Sequence, residues 1–249
     1  MSADIALIKT KFLEIKSKGF IKCLRPNNKD GGIGNTFEDC LGVKENNKKH
    51  PDYEGFEVKS QRSLTSSYVS LFSKSPTFPP KANKYLKDTF GRGDSHFPEL
   101  KSLHSSIFGH QWNTLYDTYQ LILKVDNINQ RLYLLVKDNL GLIVSDNVIW
   151  SFEDLNKAAQ KLSSLIVVIA EIKNVNEEIF YHFNKATVYH NFVFNNFLNA
   201  IQNGDIMFDI RIGVYKTGKN IGKPHDHGSG FRVKRENVFK LYEETLEIE

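Results

Sequence analysis

Residues 51–59 read Pro-Asp-Tyr-Glu-Gly-Phe-Glu-Val-Lys, and the alternation at the end of this stretch leaves the backbone little choice. Phe56 and Val58 alternate with Glu57 and Lys59. In an extended strand successive side chains point to opposite faces, so the apolar pair turns to a core and the charged pair turns away. Asp52 stands before a bend at Gly55 and can fold back to meet the charged face. Two carboxylates then converge beside an amine. Oxygen donors suit a hard cation such as Mg²⁺, which keeps waters and takes phosphate oxygens as further ligands. A cation held there acidifies water and offsets charge on a phosphate, while the lysine orients or deprotonates that water. Asp52, Glu57 and Lys59 are therefore candidate catalytic residues, with Asp52 and Glu57 as metal ligands. The same alternation also describes an ordinary strand with one solvated face, so the context must decide.

A chain of 249 residues, 40% of them hydrophobic, can bury a sizeable core in one large domain or two lobes. Its longest apolar run, residues 165–170, falls far short of a membrane span. No signal-like segment opens the chain, so a cytoplasmic location is expected. Two cysteines, Cys23 and Cys40, are too few for a disulfide scaffold and read as buried thiols in a reducing compartment. The net charge of +4 is unevenly spread. Residues 44–50 and 216–223 are basic, the latter with interleaved glycines, whereas acids gather in residues 243–249. Such loops fit a polyanion held on a defined surface, and equally the solvated loops of a lysine-rich protein.

Ile5, Ile8, Phe12 and Ile15 recur at helical spacing, and Gly19 ends that helix. A polar loop over residues 27–34 leads to a helix over 36–43, with Phe37, Cys40 and Leu41 on one side and Glu38 near its start. After the 57–59 strand, residues 68–72 predict another, and Pro76, Pro79 and Pro80 mark a loop. Residues 118–125 and 131–136 predict a hairpin, and residues 148–150 a short strand. Ser151 caps a helix to about residue 162, with Glu153 and Asp154 in its first turn. A buried strand is expected over 165–172, a helix over 191–202 stopped by Gly204, and strands over 206–215 and 231–233. A final helix is expected from about residue 236. The order predicts an α/β or α+β fold without repeats.

Residues 223–232, Lys-Pro-His-Asp-His-Gly-Ser-Gly-Phe-Arg, form a second dense constellation. A metal site at His225, Asp226 and His227 lacks a further ligand nearby, since only the histidines share a face of a strand. A nucleophilic Ser229 lacks the sharp strand-to-helix turn that exposes one. Base readout is the third reading: Arg and His donate to guanine N7 and O6, and Asp accepts from cytosine N4. Arg211 and Arg232 fit that role. A polar surface hairpin is the plain alternative.

Taken together, the two constellations resemble the MvaI/BcnI family of restriction endonucleases, relatives of the mismatch-repair nicking enzyme MutH. The likeness begins at Gly32-Ile33-Gly34-Asn35-Thr36-Phe37-Glu38, similar to a glycine-rich entry to a glutamate-bearing helix. Asp52, Glu57 and Lys59 match the D-x4-E-x-K motif, and residues 71–77, Leu-Phe-Ser-Lys-Ser-Pro-Thr, resemble the segment that follows. Residues 204–206 and 209–213, with His225-Asp226-His227-Gly228 through Phe231-Arg232, resemble the C-terminal recognition region. The order and separations hold over nearly the whole chain, and residues 81–112 depart from the pattern.

The resemblance implies a PD-(D/E)xK core, a mixed central sheet flanked by helices, with a DNA-recognition lobe. Residues 1–112 would be mainly the catalytic lobe, 113–175 would complete the core, and 176–249 would be mainly the recognition lobe, forming one compact unit around a DNA cleft. It implies Mg²⁺-dependent cutting of double-stranded DNA at a CC-N-GG-type site, CCWGG or CCSGG, by a monomer that nicks one strand at a time. A companion DNA methyltransferase is expected in the host without a stable complex. Glu38 would bind a second metal or orient Lys59. Arg211, His225, Asp226, His227 and Arg232 would read bases, Ser73 and Lys74 would touch the minor groove, and Lys219 and Lys223 the backbone. A MutH-like repair nickase and an inactivated DNA-binding protein are the alternatives.

Overall fold

The computed structural model describes residues 3–25, 31–43, 51–63 and 68–249. The expected 27–34 loop lies partly, and the basic 44–50 stretch wholly, outside them. The chain forms two units. One comprises residues 1–69, 160–193 and 235–249, and the other residues 70–159 and 194–234. The first unit collects three separate pieces of chain, because its central strands come from both halves.

A mixed sheet organises the first unit, in the order Ile21–Lys22, Glu178–Phe192, Ser164–Val175, Glu57–Arg62. Tyr242–Ile248 also pairs with Glu178–Phe192, antiparallel. Ser164–Val175 runs parallel to Glu57–Arg62, with Leu165 opposite Glu57 and Val167 opposite Lys59. The alternation in residues 56–59 sorts as predicted. Phe56 and Val58 join a core with Ile166, Val168, Ala186 and Val188, closed by Ile8 and Phe12 of the helix Ala3–Ser17 and Phe37 of the helix Gly32–Leu41. The Phe37 and Phe183 rings meet at 4.9 Å. Glu57 and Lys59 are on the other face.

The second helix starts at Gly32 rather than residue 36. Gly32 is buried where an added Cβ would meet Cys23 Sγ and the Tyr181 hydroxyl at 3.1 Å, so a side chain there would need these neighbours to give way slightly. Gly42, at φ +78°, ends it. Glu38 consequently lies near the end of the helix, half-buried, not near its start. The expected C-terminal helix is a 3-10 segment, Arg235–Leu241, followed by the strand Tyr242–Ile248.

The second unit contains a sheet in the order Tyr68–Phe72, Gly230–Lys234, Ile206–Val214, Lys101–Ile107, Arg92–Gly93, with Pro224–Asp226 paired to the far end of Ile206–Val214. An antiparallel meander, Asn113–Leu115, Tyr119–Asp126, Arg131–Asp138 and Ile143–Ser151, contains the predicted hairpin. Ser151 Oγ accepts the Asp154 N–H at 3.1 Å and caps the helix Phe152–Ala159 as expected. In its core Trp150 packs edge to face on Phe208 and Phe231, whose own rings are tilted against each other. The helix Ala82–Phe90 was not foreseen, and the helix expected over 191–202 is shortened to Phe194–Gln202 by the long preceding strand. Among the described residues no helix is long and apolar enough to cross a membrane, and both cysteines are free.

Candidate functional site

In the first unit, the turn at residues 53–56 closes through reciprocal Tyr53 and Phe56 backbone bonds, with Gly55 at φ +83°. A side chain there rarely adopts that conformation, and glycine makes it easy. The turn brings Asp52 back to the start of the strand. Asp52 Oδ2 accepts the Val58 N–H at 2.9 Å, fixing the carboxylate at the head of the Glu57–Arg62 strand. Glu57 is only 2% exposed. Its Oε1 accepts from Lys59 Nζ at 2.6 Å and from Lys161 Nζ at 2.6 Å, while Oε2 is buried with no hydrogen-bond partner.

A buried carboxylate is tolerable only when its charge is compensated, and two ammonium groups on one oxygen do that. The orphaned Oε2 is the conspicuous atom, because buried polar groups are seldom left unmet. Nearby, the Tyr242 hydroxyl is buried without a partner, and burial together with the Glu57 charge pushes it well above the usual phenol range. Lys161 and Tyr242 escape sequence reasoning because each arrives from a distant segment. Glu38 is in the same unit, on the helix that packs beneath this strand.

The second unit gathers the other constellation on one face of its sheet. Asp209 and Arg211 alternate with the buried Phe208, Ile210 and Ile212 along Ile206–Val214. His104 and Ser106 lie opposite Arg211 and Asp209 on the neighbouring strand, and His225 lies opposite Gly213 on the other side. Asp209, which sequence reasoning passed over, organises this face. Its Oδ2 lies 2.9 Å from Arg232 Nε and 3.7 Å from Arg211 Nε, and its Oδ1 accepts from Ser106 Oγ at 3.2 Å. The 2.9 Å approach is a charge contact that lacks hydrogen-bond alignment, since Arg232 Nε has no such partner.

The two arginines differ in accessibility. The Arg232 side chain is 17% exposed and also donates to Ser70 Oγ at 3.0 Å and the Gly228 carbonyl at 3.2 Å. The Arg211 side chain is 50% exposed. His225 stacks on Tyr215 at 3.9 Å and meets His227 at 4.0 Å. Partial burial, then the charges of His225, His104 and Arg211, hold His227 below the ordinary histidine value. The ring therefore favours its neutral form, one nitrogen donating and the other accepting.

Asp226 is exposed, but both of its carboxylate oxygens are engaged within the protein. Its Oδ1 accepts from the Gly228 and Ser229 backbone N–H groups and from Ser229 Oγ, and Oδ2 accepts from Asn83 Nδ2 at 3.1 Å. These bonds shape the turn between the two short strands. Among the described residues no three His, Cys, Asp or Glu side chains gather as a metal-holding group, so the pair at His225 and His227 gains no third ligand. Lys74 pairs with Asp154 at 2.9 Å, and Ser73 lies against Gly230, where an added Cβ would meet Ser73 Oγ at 3.2 Å. Within the basic loop Lys216 is taken up by Asp94, whose carboxyl that ammonium group lowers to about 2. Lys219 and Lys223 remain exposed, the latter reaching Asn220 Oδ1 at 3.4 Å.

No curated protein sequence matches the chain. The family model of the MvaI/BcnI restriction endonuclease family matches residues 9–242. Among solved structures, restriction endonuclease MvaI in complex with its cognate DNA substrate superposes with a TM-score of 0.90, at 33% identity, over 100% of both chains. The same endonuclease without DNA gives 0.64 at 33% identity, over 100% of this chain and 99% of that one. The mixed α/β architecture and the extent of the match agree. This chain belongs to the MvaI/BcnI restriction endonuclease family and has its PD-(D/E)xK-type fold.

Proposed function

We propose that the protein hydrolyses phosphodiester bonds of double-stranded DNA at a short CC-N-GG-type site, CCWGG or CCSGG, with Mg²⁺, as a monomer that nicks one strand at a time. One observation carries this reading: Glu57 is buried between two lysines with Oε2 unmatched, beside an Asp52 anchored on the same strand. The donor set fits a hard divalent cation, being all oxygen and including a buried carboxylate oxygen with no other partner. Asp52 and Glu57 would hold it. Bound there, such a cation acidifies water and offsets charge on the phosphate.

The chain's own groups do the rest. Lys59 Nζ orients the attacking water or balances the charge of the attacked phosphate, and Glu38 supports Lys59 or a second cation. Arg211, His225 and His227 present donors to guanine edges from an exposed polar face, backed by Arg232 and Asp209. Asp226 holds the turn that carries the histidines, with its contact to cytosine secondary to that work. Lys219 and Lys223 bind phosphates, and Ser73 and Lys74 meet the minor groove, Lys74 on release from Asp154. A site with an odd number of base pairs has no exact two-fold axis through its centre, so one asymmetric subunit acting on each strand in turn suits it.

Incubating supercoiled plasmid with and without Mg²⁺, then sequencing the ends, tests the proposal. Linear product at fixed CC-N-GG positions, by way of open circles, is expected. Open circles alone point to a repair-type nickase, and binding without cutting points to an inactivated nuclease fold. Protection of the site by its companion methyltransferase, supplied separately, completes the test.

A further inference from the structure

The D-x4-E-x-K motif supplies one lysine, whereas the folded protein puts two on Glu57. Lys59 reaches Oε1 along its own strand, and Lys161 reaches the same atom from 104 residues away. Lys161 lies in the 3-10 turn Gln160–Leu162, just before Ser164–Val175. That strand runs parallel to Glu57–Arg62 with Leu165 opposite Glu57, so the turn lies at the Glu57 end of the sheet. Leu162 is wholly buried and anchors the turn. The Lys161 side chain is 27% exposed and that of Lys59 is 26%, so the two amines share the same shelter.

Two jobs converge on this carboxylate. Something must hold Oε1 so that Oε2 stays turned away and unmatched, and some amine must attend to the water or the phosphate. Lys59 alone would have to leave the first task to perform the second. We propose that Lys161 is a positioning residue of the nuclease site: it keeps hold of Glu57 Oε1 and so releases Lys59 for the reaction. The inference rests on the nuclease reading above.

The test compares Lys161→Met, which keeps the stem and removes the charge, with Lys161→Arg, which keeps a cation. Single-turnover nicking of supercoiled plasmid with Mg²⁺ is expected to slow at least about tenfold in Lys161→Met and to recover largely in Lys161→Arg. Mn²⁺ titration of the DNA-free protein, followed by electron paramagnetic resonance, reads the site without chemistry. Removing one of two cations around the carboxylate weakens repulsion, so Mn²⁺ should bind severalfold tighter to Lys161→Met although that variant cuts more slowly. A merely structural lysine moves the quantities together: a lower thermal midpoint, weaker Mn²⁺ binding and no rescue by arginine, and that pattern overturns the inference. Wild-type nicking by Lys161→Met overturns it as well. A wild-type protein that nicks no DNA overturns the parent reading instead, and the Mn²⁺ titration then decides the Lys161 contact alone, tighter binding supporting it and weaker or unchanged binding refuting it.

Discussion

Asp52 and Glu57 are held by different means, and the difference predicts how each tolerates change. Asp52 is tied through a backbone N–H, which an amide oxygen can also accept. Asp52→Asn should therefore keep the bend and the fold while losing the charge a cation needs. Losing metal-assisted charge stabilisation is worth several kcal/mol, so cutting should fall roughly a thousandfold with the melting temperature nearly unchanged. Lys59→Ala should likewise retain site-specific binding, read by gel shift in Ca²⁺, and lose cleavage. The arginines separate in the same manner. Arg211 is half exposed with only a 3.7 Å link to Asp209, so Arg211→Ala should cost about 1–3 kcal/mol of discrimination between sites and little stability. Arg232→Ala removes the closer partner of Asp209 and the bonds to Ser70 and Gly228, so it should lower the thermal midpoint as well. Equal melting curves for the two variants would contradict this assignment.

At the scale of elements, the hairpin formed by Pro224–Asp226 and Gly230–Lys234 is tightly packed. Gly230 lies opposite Asp209 in the sheet, and an added Cβ would sit 2.6 Å from the Phe72 carbonyl oxygen. A backbone atom cannot move aside as a side chain tip can, so Gly230→Ala should destabilise the second unit by about 1–3 kcal/mol in denaturant unfolding. Beside it, His227 is held below the ordinary 6.5, first by partial burial and then by its basic neighbours. The unfolded chain then takes up this proton at a higher pH than the folded chain. The stability contributed by the neutral ring is present above about 6.5 and is lost as pH falls below that value through the folded pKa. Thermal midpoints measured from neutral to mildly acid pH should fall for the wild type and fall less for His227→Gln. The same slope in both proteins would place the proton elsewhere.

For the whole molecule, what the sequence disclosed followed from the range of the interactions. The 56–59 alternation, the 126–131 hairpin and the Ser151 cap are local, and each formed as its residues dictated. Residues 242–248 lack a local period that decides between helix and strand, and pairing with Glu178–Phe192 makes them a strand. Glu178–Phe192 itself mixes aromatic and polar residues without a clean alternation, so residues 178–190 carry no expectation from sequence and the last two fall in the expected 191–202 helix. Lys161 has no local signature at all, because 104 residues separate it from the carboxylate it holds. The basic loop was legible as composition, but only the structure divides its lysines: Lys216 is taken up by Asp94, while Lys219 and Lys223 stay exposed. That division yields a prediction about the binding of DNA as a polyelectrolyte. Each phosphate contact releases counterions and steepens the fall of log K with log salt by about 0.9. Lys219→Ala with Lys223→Ala should therefore flatten the slope by roughly twice that amount and weaken cognate and non-cognate duplexes alike. Lys216→Ala should leave the slope near the wild-type value, because its charge is already matched within the protein. A flattening confined to the cognate duplex would move Lys219 and Lys223 from the phosphate backbone to the bases.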